Sequence, residues 1–307
     1  MAGRTRSTAT KDEGIFRKTF FMNRNVTFEE SRACVVPVPY ATTSYTEGTR
    51  DAPEQILLNW NVEDYDLELG YAPCSVGIYP LPEREYEGAE GLDLVRKVAK
   101  ELFKFKKFPV FLGGDQAITI ATAKAAADVF GDMTVIFLDA HSDMKAEFEG
   151  KNVTGMSVVK QLGDMDTLQI GVRNIGSEEL DDMSEKEAFN RITDKELATA
   201  LSNASRNVYI SIDVDVFDPS LMPATPMPEP DGYTWSEVIG LIRKIAARKN
   251  IVGCDIAEHS PIPGFTAPSI MCAQLAYKVI GLKFEKEAKE KGWENGAEPK
   301  KRGKNGD

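Results

Sequence analysis

The chain has 307 residues, enough for one large α/β domain or two of ordinary size. Hydrophobic residues make up 42% of it, which argues against a disordered chain. The formal net charge is −11 and no basic patch stands out, which argues against a nucleic acid or an anionic membrane as a partner.

The cysteines and the N-terminus bear on the cellular compartment. The four cysteines form no CxxC pair and mostly lie in or beside apolar runs, which is typical of buried reduced thiols; they are Cys34, Cys74, Cys254 and Cys272. No apolar stretch approaches the roughly 20 residues of a membrane span, and the first residues lack the apolar segment of a secretory signal. We therefore expect a cytoplasmic protein.

Apolar runs and helical periodicities alternate along the chain. In chain order they predict a strand at 33–39, a helix at 92–107, strands at 109–112, 134–138, 168–172 and 208–214, a helix from the capping box Thr234-x-x-Glu237 to 245, a strand at 251–256 and a helix at 270–282. Most of the strand runs are continuously apolar, as expected for strands that are buried on both faces of a parallel sheet.

This alternation predicts an α/β fold. We expect a three-layer α/β/α sandwich with a mainly parallel, doubly wound sheet. No internal repeat and no linker interrupts the pattern, so a single domain is predicted at residues 21–285. Residues 1–20 and the charged residues 286–307 are expected to be flexible tails.

Acidic residues follow the predicted strands at the edge where ligands bind to a parallel sheet. The strand at 134–138 leads into Asp139, His141 and Asp143. Residues at positions i, i+2 and i+4 of an extended segment share one face, so these three side chains can point at one spot.

Two neighbouring segments add to this group. Asp213 and Asp215 follow the apolar run that begins at Val208, and Glu258 follows the strand at 251–256. The turn Gly113-Gly114-Asp115-Gln116 follows another strand, and its glycines allow a close backbone approach.

Four carboxylates and an imidazole at one place predict a metal site. Without a cation, carboxylates at short range cannot all stay ionised. Carboxylate and histidine ligands suit manganese best, with nickel, cobalt, iron or zinc as alternatives. The alternative interpretation is that the acids are loop caps, but the combination of DxHxD with SxDxD favours the metal site.

The two blocks FLDAHSD and YISIDVDVFDP resemble the two metal-binding signatures of the ureohydrolase family, which includes arginases and agmatinases. Further similarity covers about residues 35–282, in motifs such as QIGVRN and DIAEHSP. The resemblance implies an arginase-like fold and a binuclear manganese site. In that site Asp139 and Asp213 would bridge both ions, Asp143 would complete the first ion, and His141 with Asp215 would hold the second.

The resemblance also implies a reaction. A metal-bridging hydroxide would attack the carbon of a linear guanidino compound such as agmatine, releasing urea or an analogue and an amine. Asp143 would be the catalytic residue that orients the hydroxide and passes its proton to the leaving amine. Glu258 would bind the planar guanidinium of the substrate.

Two residues depart from the family pattern. Gln116 stands where the family has a histidine that binds the first ion, and Gly155 stands where agmatinase-like members have a substrate-side histidine. Because a glutamine oxygen is a poorer metal donor than imidazole, the first ion should bind more weakly than in the family. In the extreme case only the second ion position is occupied. The sequence therefore allows either one bound metal ion or two.

Two functional hypotheses follow. The first is a metal-dependent hydrolase of a guanidino small molecule, with manganese as the metal that its ligands favour, working as a homo-oligomer. The second is a catalytically impaired homologue that serves as a non-catalytic subunit, in a hetero-oligomer with an active paralogue. The five retained ligands favour the first hypothesis, whereas the changes at Gln116 and Gly155 favour the second.

Overall fold

Parallel strands form the centre of the molecule, for which a computed structural model describes residues 26–60, 65–183 and 187–292. The described strands form one eight-stranded sheet, ordered β2-β1-β3-β8-β7-β4-β5-β6, in which every pairing is parallel. In chain order they are β1 Ala33–Val38, β2 Ile78–Pro80, β3 Phe108–Gly113, β4 Met133–Leu138, β5 Asp166–Ile170, β6 Glu187–Phe189, β7 Asn207–Asp213 and β8 Asn250–Ala257.

Helices connect the strands and cover the sheet. The described α-helices are α1 Ala52–Leu58, α2 Gly88–Lys104, α3 Ile118–Phe130, α4 Val158–Gln161, α5 Leu180–Met183, α6 Asp194–Asn203, α7 Trp235–Arg248 and α8 Ala267–Lys291. Within the residues that the structure describes, none of these helices has both the length and the apolar character that a bilayer crossing requires.

Two hydrophobic clusters lie on opposite faces of the sheet. One joins alternate strand residues to α1, α6, α7 and α8, and the other joins the remaining strand residues to α2, α3 and α4. Strands β1, β3 and β4 are buried along their whole length, because helices cover both of their faces. The predicted three-layer α/β sandwich is confirmed, and the sheet is wholly rather than mainly parallel.

The order of the central strands decides what lies at the sheet edge. Strands β3, β8, β7 and β4 are neighbours, with Leu112 paired to Ile256 between β3 and β8 and Leu138 paired to Ile212 between β7 and β4. Since parallel strands end at the same edge, the acidic segments after these four strands lie beside one another.

Some elements differ from the prediction. The short strands β2 and β6 and the helices α1, α3, α4, α5 and α6 are additional. Helix α3 is buried on almost all sides, so its sequence lacks the one-sided apolar stripe from which a surface helix is predicted. Helix α8 reaches Lys291, so residues 286–291, which we predicted to belong to a flexible tail, are helical. The predicted tail at 1–20 and residues 293–307 lie outside the described part of the chain.

Candidate metal centre

The loops after β4 and β7 are tied to each other by hydrogen bonds between backbone and carboxylates. The backbone N–H of His141 donates to Asp139 Oδ1 at 2.7 Å, and that of Asp215 donates to Asp213 Oδ1 at 2.9 Å. The backbone N–H of Ala140 donates across to Asp215 Oδ1 at 2.9 Å. These bonds fix the carboxylates relative to the strand ends.

Three of the five predicted metal ligands form a compact group. One ligand atom from each of Asp139, His141 and Asp215 lies within 4.8 Å of the other two. His141 Nδ1 is 2.8 Å from Asp215 Oδ2 and 3.8 Å from Asp139 Oδ1. Both carboxylates are buried, and the side chain of His141 is 15% exposed.

The other two predicted ligands lie outside this group but at the same cleft. Asp143 and Asp213 are buried and line the cleft together with His141 and Asp215. Asp143 has a φ of +49°, a left-handed conformation that aspartate tolerates better than most residues. The structure therefore brings His141, Asp143, Asp213 and Asp215 to one cleft, and it places Asp139, His141 and Asp215 within reach of a single ion.

Burial and mutual repulsion raise the pKa of the acids. Burial, followed by the charge of Asp215, raises the pKa of Asp139 to about 7. Burial, followed by neighbouring carboxylates, raises the pKa of Asp143 and Asp213 well above the ordinary aspartate value. Burial alone would lower the pKa of His141, but its hydrogen bond to Asp215 and the nearby acids raise it to about 9.

These side chains fit a divalent cation. The salt bridges of Asp139 and Asp215 within the described residues go only to His141, so the cluster carries more negative charge than its histidine can balance. An ion would offset that repulsion, and oxygen and imidazole donors together suit manganese and its first-row neighbours.

Glu258 lies across the cleft from the loop that follows β4. It follows β8, has a φ of +61° and is 8% exposed. The backbone N–H of Gln116 donates to its Oε1 at 2.6 Å, and its own N–H donates to the carbonyl oxygen of Gly114 at 2.8 Å. Burial, followed by the charge of Asp115, raises the pKa of Glu258 well above its ordinary value.

Both departures from the family pattern lie at this site. The side chain of Gln116 is fully buried, and its Nε2 donates to Asp139 Oδ2 at 2.8 Å. Gly155 lines the cleft, and a Cβ built on it would lie 3.0 Å from Asp115 Oδ1 and 3.1 Å from Glu258 Oε1.

His259, which follows Glu258, is a buried packing residue. Its Nδ1 lies 3.0 Å from the carbonyl oxygen of Ala224, and its Nε2 lies 2.9 Å from Ser269 Oγ. His259 is not among the residues that line the cleft. Of the two histidines in the sequence, only His141 belongs to the site.

Glu179 is a site residue that the sequence did not reveal. It is 3% exposed, lines the cleft, and accepts backbone N–H groups from Met144 at 2.7 Å and from Gly176 at 2.6 Å. These bonds hold the loop that carries Asp143. In the sequence Glu179 stands in a run of acids that is typical of a solvated helix start, so no pattern marked it.

Comparisons with known proteins show the family of this chain. The model of the family described as "Arginase family" matches residues 31–281. The chain is 34% identical over 295 residues to the N(1)-aminopropylagmatine ureohydrolase of Synechocystis sp., covering 89% of this chain and 96% of that protein. It is 28% identical over 271 residues to the agmatinase of Halalkalibacterium halodurans, covering 81% of this chain and 91% of that protein.

A solved structure gives the same result for the fold. The agmatine ureohydrolase of Thermoplasma volcanium superposes with a TM-score of 0.78 at 27% identity, covering 89% of this chain and 96% of that one. The sheet, the acidic cluster at its carboxyl edge and the family match over residues 31–281 lead to one conclusion. This chain belongs to the Arginase family, as a ureohydrolase-type enzyme.

Proposed function

We propose that this protein is a metal-dependent hydrolase of a linear guanidino compound, with agmatine and longer aminoalkyl relatives of agmatine as its substrates. The observation that carries the proposal is the group of Asp139, His141 and Asp215, two members of which, His141 and Asp215, line one cleft with Glu258. Relatives named agmatinase and N(1)-aminopropylagmatine ureohydrolase support the choice of substrate.

Asp139, His141 and Asp215 would hold a divalent ion, with Asp213 and Asp143 beside them, and manganese is the proposed metal. When bound, such an ion lowers the pKa of water toward neutrality and so supplies a nucleophile at physiological pH. The backbone bonds to Asp139, Asp213 and Asp215 keep the carboxylates in place before the ion arrives.

Glu258 is the proposed guanidinium site. Its carboxylate is buried near Asp115, and a buried acid of this kind is stabilised in its charged form by a planar cation. The backbone N–H of Gln116 fixes Oε1, so the carboxylate is oriented before the substrate binds. Binding energy spent here positions the guanidinium carbon over the acidic cluster.

Asp143 is the proposed proton carrier. Hydrolysis adds the oxygen of water to the guanidinium carbon, breaks the C–N bond to the chain of the substrate and delivers a proton to the amine that leaves. The carboxylate of Asp143 is buried and lines the cleft together with Asp213 and Glu258, a position from which it can accept a proton from water and return it to the leaving amine. Glu179 supports this loop through Met144.

The second hypothesis, a non-catalytic subunit, finds no support in the comparisons, since the relatives described above are named for enzymes. We propose a homo-oligomer acting on a small molecule, without nucleic acid or membrane as partners. We also propose a cytoplasmic location, because all four cysteines are buried and free, as in a reducing compartment.

Urea release tests the function. The full chain, purified with Mn²⁺, is incubated with agmatine, N(1)-aminopropylagmatine, arginine and 4-guanidinobutyrate. We expect turnover of agmatine or its aminopropyl derivative, and a loss in kcat/KM of about 100-fold in Glu258→Gln, the size expected for a lost buried charge contact. Metal content should be unchanged in this variant, because Glu258 is not in the proposed ligand group.

The matched control is Glu178→Gln, an exposed glutamate that lies outside the cleft lining. It should keep the kinetics of the native chain. No urea from any guanidino compound in metal-loaded protein would contradict the proposed function.

A further inference from the structure

The amide of Gln116 occupies one side of the Asp139 carboxylate. Its Nε2 donates to Asp139 Oδ2 at 2.8 Å and to Ser211 Oγ at 3.3 Å. The other oxygen of the carboxylate, Oδ1, accepts the backbone N–H of His141 and lies on the side of the three-ligand group. Asp139 is therefore held between an amide and the candidate ion position.

A buried acid beneath the site sets the orientation of this amide. Ser211 Oγ donates to Asp255 Oδ1 at 2.8 Å, and Asp255 is fully buried. A serine hydroxyl has a single proton, so once that proton goes to Asp255 the hydroxyl oxygen can only accept. Both neighbours of the Gln116 amide, Ser211 and Asp139, then require a donor. The NH₂ group, rather than the oxygen, must face them.

This arrangement has a consequence for metal binding. The NH₂ group has no lone pair for a cation and presents a partial positive charge to Asp139 Oδ2, whereas the amide oxygen Oε1 is buried and has no hydrogen-bond partner among the described residues. The NH₂ group of Gln116 occupies Asp139 Oδ2, a carboxylate oxygen that could otherwise bind an ion.

We propose that this chain holds a single divalent ion, at Asp139, His141 and Asp215, and that Gln116 takes the place of a second ion on the far side of Asp139. The inference rests on the metal dependence in the proposed function. In the single-ion site, Gln116 is a positioning residue that orients Asp139. Asp213 and Asp143 line the cleft but do not bind a second ion.

Counting metal in the full chain tests the proposal without using activity. The protein is loaded with excess Mn²⁺, desalted and measured by inductively coupled plasma mass spectrometry and by electron paramagnetic resonance. We expect about one Mn²⁺ per chain and the hyperfine-resolved spectrum of an isolated ion. About two ions per chain with an exchange-coupled spectrum would overturn the proposal while leaving the proposed hydrolase intact. No bound ion would overturn both.

Variants at position 116 test the role of the amide. Gln116→His supplies a lone pair in place of the NH₂ group, so its metal content should rise toward about two ions per chain, with a coupled spectrum. A count that stays at one in this variant would overturn the role of Gln116. Gln161→His, which adds an imidazole outside the site, is the matched control and should bind as the native chain does.

Gln116→Leu guards against a variant that fails to fold. It removes the amide with little change in side-chain size, and circular dichroism reports its folding. Because the amide is not a ligand in our proposal, the folded variant should still bind about one ion per chain. A folded Gln116→Leu that has lost its ion would show that the bound ion depends on the amide, and the proposal would then be wrong.

Discussion

Two acids of the site adopt left-handed backbone conformations. Asp143 has a φ of +49° and Glu258 a φ of +61°, and such conformations cost a non-glycine residue on the order of 1 kcal/mol or more. Each is held by hydrogen bonds from its surroundings: Glu179 fixes the loop beside Asp143, and Gly114 accepts the N–H of Glu258. Two of the five described non-glycine residues with positive φ are therefore ones that we propose to act on the substrate.

Gly155 leaves space beside the guanidinium site. A Cβ at this position would lie 3.0 Å from Asp115 Oδ1 and 3.1 Å from Glu258 Oε1. Gly155→Ala should therefore displace Glu258 by a few tenths of an ångström and raise KM for the guanidino substrate by roughly 10-fold, with a smaller change in kcat. Steady-state kinetics of urea release measures both constants.

The matched control for this prediction is Gly240→Ala in α7, where an added Cβ meets no atom within 4 Å. It should leave KM unchanged and stabilise the helix by about 0.5–1 kcal/mol. An unchanged KM in Gly155→Ala would indicate that Glu258 does not bind the substrate in the position shown here.

At the scale of elements, a capping box begins α7. The backbone N–H of Thr234 donates to Glu237 Oε2 at 2.7 Å, and the N–H of Glu237 donates back to Thr234 Oγ1 at 3.4 Å. Thr234→Ala removes one of these bonds and should lower the free energy of unfolding by about 1 kcal/mol. Urea denaturation followed by circular dichroism measures the loss.

Thr199→Ala is the control for the capping box, because Thr199 is exposed and lies inside α6 rather than at its start. This variant should stay within about 0.5 kcal/mol of the native chain. Equal losses in both variants would show that the cap contributes nothing beyond an ordinary threonine.

Helix α8 carries a lysine whose burial makes stability depend on pH. Burial, followed by the charge of Arg32, lowers the pKa of Lys283 from 10.5 to about 8, and its Nζ donates to Asn250 at 2.8 Å. Between these two values the unfolded chain binds more protons at this position than the folded chain, so stability contributed by this residue rises with pH.

Lys283→Met should therefore stabilise the protein at pH 7, where the folded chain otherwise holds a poorly solvated ammonium. We expect a gain of about 1 kcal/mol, discounted because the side chain is not fully buried, and a smaller gain at pH 9.5. Urea denaturation at both pH values measures it. Lys286→Met, at an exposed position of the same helix, should show no such pH dependence; a gain in Lys283→Met that grows with pH would contradict the assignment.

At the scale of the whole molecule, the sheet places several carboxylates at one edge, where a bound cation would offset their repulsion. The neighbouring strands β7 and β4 place Asp213 and Asp139 side by side, and the pKa of each is raised by burial, followed by the charge of Asp215. Stability should therefore depend on bound metal, because an ion that binds only the folded state stabilises it.

Removal of metal by a chelator should lower the melting temperature by about 5 °C or more, and excess Mn²⁺ should restore it. Differential scanning fluorimetry measures both values. The control is Asp215→Asn, which removes one ligand and one of the repelling charges, so chelator and Mn²⁺ should give it nearly the same melting temperature. A native chain that melts equally with and without chelator would argue against a metal site.

The sequence by itself determined the architecture and the edge at which the site lies. Continuous apolar runs marked six of the eight described strands, because strands covered by helices on both faces bury every side chain. The spacing of Asp139, His141 and Asp143 indicated a common target, since alternate residues of an extended segment share a face. The capping box at Thr234 could also be predicted from the sequence, because its two residues, Thr234 and Glu237, are three positions apart.

Other features of the fold and the site depend on contacts between residues that are distant along the chain, so only the tertiary structure decided them. The strands β2 and β6 have three residues each and show no periodicity, so pairing with a neighbouring strand defines them. The grouping of Asp139 with Asp215, the support from Glu179 and the amide of Gln116 on Asp139 are of the same kind. Local sequence patterns reflect neighbours along one strand or helix, whereas these side chains meet across the sheet edge, where strand order and loop conformation set the distances.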